Sequence, residues 1–75
     1  MSELPAITGQ EAVKAFAKIG FVLDRVKGSH HILKKAGFRY VLSIPVHKGR
    51  TLSKGLLRRQ IHLAGMTDED FLRLL

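Results

Sequence analysis

The sequence contains no cysteine, so neither a disulfide framework nor a thiolate zinc site is open to it. No stretch approaches the roughly 18–20 consecutive apolar residues that span a bilayer. The opening Met1-Ser2-Glu3-Leu4-Pro5 lacks the basic start and apolar run of a signal peptide. A cytoplasmic protein is the expectation. There is no glycine-rich phosphate loop, no nucleophile elbow and no pair of carboxylates close to basic residues. The four histidines, at 30, 31, 47 and 62, are not spaced like a metalloprotease helix and have no carboxylate or thiolate partners nearby in sequence. Neither a metal nor a cofactor is expected. At 75 residues the chain should form one domain, 1–75, with one modest core.

Acidic residues are missing from the middle. None occurs between Asp24 and Asp68, a span of 43 residues. Arg25, Lys27, Lys34, Lys35, Arg39, Lys48, Arg50, Lys54, Arg58 and Arg59 all lie in it, and the formal net charge is +7. A solvated surface can be this basic, but such sign segregation points to a polyanionic partner, and nucleic acid is the default one.

Local signals order the chain. Thr8-Gly9-Gln10-Glu11 has capping-box spacing, and Ala12, Val13, Phe16, Ala17 and Ile19 follow at helical intervals, predicting a helix over 9–19 that Gly20 ends. Residues 21–27 read as a strand, Gly28-Ser29 as a turn, and 30–34 and 39–44 as two further strands joined through Gly37. Pro45 should end that hairpin. Ser53 is positioned as the N-cap of a second helix, 54–64, with Leu56, Leu57, Ile61 and Ala64 facing the core. Thr67-Asp68-Glu69-Asp70 opens a last short helix, docked by Phe71, Leu74 and Leu75. The fold class is therefore α+β, in the order α-β-β-β-α with a terminal helical turn. Its three-stranded antiparallel sheet carries helices on one face and leaves the other free.

Gly28-Ser29-His30-His31 is the cluster that could carry chemistry. Adjacent histidines on a strand point to opposite faces, so one meets solvent or ligand and the other leans toward the helices. Periodicity leaves both assignments open, because Ile32 and Leu33 are both apolar. RNA brings its own nucleophile, the 2′-hydroxyl. A histidine that moves protons near neutral pH, set among cations that stabilise phosphoryl charge, meets the needs of RNA cleavage. Lys27, Lys34, Lys48, Arg50 and Lys54 are the phosphate-binding candidates, by nearness in sequence to His30 or to the 46–52 loop. Tyr40 is either a packing ring or a stacking platform for a base.

Gly28-Ser29-His30 before a strand, the Ile44-Pro45-Val46-His47 segment, a Leu52-Ser53-Lys54-Gly55 helix start and the ending Ala64-Gly65-Met66-Thr67 through Phe71 together resemble the HicA toxins of toxin–antitoxin systems. The resemblance spans nearly the whole chain. It implies a double-stranded-RNA-binding-domain-like fold, metal-independent endoribonuclease activity on single-stranded mRNA, and translation arrest. It also implies a HicB-like antitoxin as partner and a monomeric free toxin. By position it makes His30 the catalytic histidine, Gly28 and Ser29 the turn that presents it, and His47 a supporting residue. The residues alone reach a polyanion-binding domain with an acid–base histidine. A non-catalytic RNA-binding module is the alternative.

Overall fold

A computed structural model describes residues 3–75. Met1 and Ser2, part of the N-terminal segment read above, lie outside the described residues. The elements run α1 (Gly9–Ala17), β1 (Val22–Lys27), β2 (His30–Lys34), β3 (Leu42–Pro45), α2 (Lys54–Leu63) and α3 (Asp68–Leu72). The strands form one antiparallel sheet in the order β1-β2-β3. The expected α+β class and element order hold. Among the described residues no helix is long and apolar enough to cross a membrane.

Each helix starts where a side chain satisfies a free amide. The Thr8 hydroxyl accepts from Glu11 N–H while Glu11 accepts from Thr8 N–H, and Thr67 and Asp70 repeat the arrangement at α3. Ser53 accepts from Leu56 N–H at α2. The backbone and hydroxyl hydrogen bonds that Thr8 and Thr67 give hold the carboxyls of Glu11 and Asp70 below their ordinary values. Groups lowered on folding stabilise fully above their unfolded pKa and lose that contribution as the pH falls through the folded one. We therefore expect the urea midpoint to drop as the pH falls below about 4. Glu11→Gln and Asp70→Asn together should flatten that drop.

The core lies between the helices and one face of the sheet. Phe16, Phe21 and Phe71 are fully buried with Leu33, Leu42, Ile44, Leu57 and Ile61. Phe16 meets Phe71 at 5.0 Å and Phe21 at 6.0 Å between ring centroids, and Phe21 meets Phe38 at 5.6 Å. Both α1 and α2 pack on β3. At the start of α1, a Cβ on Gly9 would run into the Pro45 carbonyl oxygen, so only glycine lets the helix approach the end of β3 this closely.

Three strand boundaries differ from the sequence reading, the first being that β1 begins at Val22 rather than Phe21. The third strand begins at Leu42 rather than Arg39, because Phe38 turns inward against Phe21 and carries residues 39–41 off the ladder. The strand also runs one residue past Ile44, with Pro45 expected just beyond it but found as its last residue, on an outer strand of the sheet where a missing donor is tolerated. The first strand holds a bulge at Asp24, between Leu23 and Arg25. All six of its residues are exposed.

Candidate active site

The pairing register separates the two histidines. Leu33 pairs with Leu42 and His31 with Ile44, and these partners belong to the buried face. Directly opposed residues share a face, so His31 leans toward the core side and His30 faces outward with Ile32 and Lys34. His30 is exposed. His31 is half-buried, and its Nδ1 is buried without a hydrogen-bond partner. Ile32 is buried on the outward face, apart from the main core cluster.

Three strands fix the backbone of His30. The turn from β1 is two residues long, with Gly28 at φ +62°, the left-handed position that tight hairpins reserve for glycine. Lys27 and Pro45 are the partners of His30 on either side. Ser29 O accepts from Val46 N–H at 2.8 Å, tying the turn to the segment after β3.

α2 supplies the opposite wall. Its Gln60 is buried and accepts from Ser43 N–H at 3.1 Å, capping the outer edge of β3. That bond sets the helix alongside the strand and leaves a groove of about 570 Å³ between them. His30, Ser43 and Pro45 line its sheet side, and Leu56, Arg59 and Gln60 its helix side. Leu56, expected in the core, is half-buried and lines this groove, because the 60–43 bond turns that stripe of α2 toward β3.

The phosphate-binding candidates divide. Lys27 is the neighbour of His30 across the hairpin and forms no ion pair among the described residues. Lys34 stands at the far end of β2 and holds Asp24 at 3.1 Å. The Lys34 hydrogen bond, with Arg25 beside it, keeps the Asp24 carboxyl below its ordinary value. Lys54 pairs with Glu3 at 3.3 Å. Lys48 and Arg50 lie exposed in the turn after β3, where Lys48 and His47 line a separate hollow at the start of α1. Of the five, Lys27 alone is beside His30 in the sheet.

The sequence reading did not single out Arg59, Ser43 and Gln60 for the groove. Arg58 is held by Asp68 at 3.0 Å, with His62 3.6 Å from the same carboxylate, whereas Arg59 forms no ion pair among the described residues. The signal available was the i, i+3, i+4, i+7 stripe of Leu56, Arg59, Gln60 and Leu63, which shares one side of a helix. Chemically, the groove offers one exposed imidazole and one guanidinium that is unpaired among the described residues, and Lys27 lies beside the imidazole in the sheet, outside the groove's lining. That set suits a phosphodiester whose charge grows during reaction.

No curated protein matches the chain. A family model described as HicA toxin of bacterial toxin-antitoxin matches residues 9–66, from the first residue of α1 to just beyond α2. The match covers more than three quarters of the chain and takes in every residue of the His30 groove. The chain belongs to the HicA toxin family of toxin–antitoxin systems.

Proposed function

We propose that this toxin is a metal-independent endoribonuclease that cleaves single-stranded mRNA in the cytoplasm and so arrests translation, with His30 as its catalytic residue. The observation that carries this reading is an exposed histidine at the end of a groove holding an arginine without an acid partner among the described residues, with Lys27 the strand neighbour of that histidine. The His30 imidazole takes the proton of a 2′-hydroxyl. The 2′ oxygen attacks the adjacent phosphorus, the bond to the 5′ oxygen breaks, and that oxygen leaves with a proton from water, whose hydroxide takes the proton held on His30 and restores the neutral imidazole. The products are a 2′,3′-cyclic phosphate and a 5′-hydroxyl end. Arg59 and Lys27 stabilise the charge that builds on the phosphoryl oxygens.

Lys27, Lys34, Lys48, Arg50 and Lys54 are the proposed phosphate contacts, and their pairing ranks them. Lys34 and Lys54 must give up a carboxylate before they take a phosphate, and Lys27 does not. Lys27→Ala is therefore expected to lessen the log–log salt slope of single-stranded RNA binding by about 0.7, the value of one phosphate contact. Lys34→Ala should change it less. The toxin acts as a monomer on this reading. A HicB-like antitoxin neutralises it by laying an acidic surface over the groove, and a complex that leaves His30 open to RNA would contradict that arrangement.

The direct test is incubation of the purified protein with a long single-stranded RNA in excess EDTA. Cleavage to cyclic-phosphate ends supports the proposal. RNA that is bound and shifted in a gel but stays intact favours the non-catalytic binding module.

A further inference from the structure

A second hollow of about 470 Å³ adjoins the His30 groove, lined by Tyr40, Arg58, His62 and Leu63. It shares Gly55, Arg59 and Leu63 with the groove, so the two are compartments of one cleft running along α2. Three features of this cleft have no role within the folded chain. Tyr40 is 50% exposed and stands apart from the phenylalanine ring contacts of the core, beside Val41, which is 53% exposed. Arg59 lines both compartments without an acid partner among the described residues, next to an Arg58 that has one. Gly55 lies in the first turn of α2, where glycine is disfavoured, although its φ is not positive and a Cβ there would meet nothing within 4 Å. A methyl group at 55 would thus meet nothing of the chain itself.

We propose that the Tyr40 compartment is a base-binding subsite. An unpaired nucleobase next to the scissile phosphodiester stacks on Tyr40, over the bare backbone of Gly55, and Arg59 holds the phosphate where the two compartments meet. An exposed aromatic beside a free guanidinium is the pairing by which single strands are gripped without sequence readout. A duplex keeps its bases stacked inside and cannot present one to this shelf. The inference rests on the ribonuclease reading for the identity of the polymer, and it deepens that reading by requiring substrate unpaired at the cleavage site.

Tyr40 is the sole tyrosine and there is no tryptophan, so intrinsic emission reports this residue directly. The experiment titrates His30→Ala protein, which leaves the RNA whole, with a short unstructured oligoribonucleotide. Anisotropy of the labelled RNA and tyrosine emission are followed together. Emission should be quenched in step with binding, and the same strand annealed to its complement should bind more weakly without quenching. Adding Tyr40→Ala should weaken single-strand binding about ten-fold or more, with Tyr40→Phe restoring most of it. Gly55→Leu should weaken binding without lowering the melting temperature. Binding with unchanged emission, indifferent to Tyr40→Ala and Gly55→Leu, overturns the subsite and leaves the His30 chemistry standing. RNA left intact by the parent protein overturns the ribonuclease reading, whatever Tyr40 does. Absence of RNA binding overturns both.

Discussion

Replacing His30 with alanine is expected to slow RNA cleavage by about 10²–10⁴-fold, the usual contribution of one acid–base group. The fold should be untouched. His30 is exposed at the first position of β2, contributes nothing to the buried core, and leaves the backbone pairing with Lys27 and Pro45 intact when truncated. Surface truncations of this kind shift stability by about 0.5 kcal/mol or less. RNA affinity should also persist, because the phosphate contacts come from cations. His31→Ala provides the contrast. It removes a half-buried side chain from the other face, so its effect should appear in the denaturant midpoint, with cleavage per folded molecule retained. Initial cleavage rates beside urea melts of both variants separate the roles. A folded His30→Ala protein that cleaves at the parent rate removes His30 from the chemistry.

Phe16→Ala is expected to remove a large share of the protein's stability. The ring is fully buried and touches both Phe21, five residues on, and Phe71, near the far end of the chain. Deleting such a ring costs about 3–5 kcal/mol. A domain of this length has a total stability of roughly 4–11 kcal/mol. The loss should appear as a much lower urea midpoint and a lower melting temperature in circular dichroism. Phe71→Ala should cost a similar amount. The double variant should cost less than the two singles summed, because each ring is the other's neighbour. Strict additivity would mean that the 5.0 Å contact between them carries no coupling.

Local chemistry was legible in the sequence, and long-range placement was not. Thr8 with Glu11, Ser53, and Thr67 with Asp70 mark helix starts through neighbours three residues away. Gly28 marks a turn through its own backbone freedom. The outward direction of His30 needed a third strand, because Ile32 and Leu33 are equally apolar and only the pairing of Leu33 with Leu42 decides between them. Arg59 and Tyr40 come to the site because Gln60 docks on Ser43, 17 residues away in the chain. No periodicity carries that information. The basic middle of the sequence is also less uniform in space than in order. Glu3, Asp24 and Asp68 return to Lys54, Lys34 and Arg58, whereas Arg59 in the groove and Lys27 beside His30 form no ion pair among the described residues.

The two outer strands of the sheet are treated differently, and this bears on how the protein behaves when concentrated. Gln60 of α2 covers the edge of β3, while β1 presents a row of unpaired amides and carbonyls along six exposed residues, with Val22, Leu23 and Val26 open to solvent. Such an edge is where a second copy would add its own strand. The bulge at Asp24 breaks the straight register that edge-to-edge pairing needs, and Lys27 sets a like charge against its counterpart in a neighbouring copy, whereas Arg25 is held by Asp24. Resistance to edge pairing therefore rests on a single irregular residue and one cation, and high salt screens the cation and leaves the bulge to act alone.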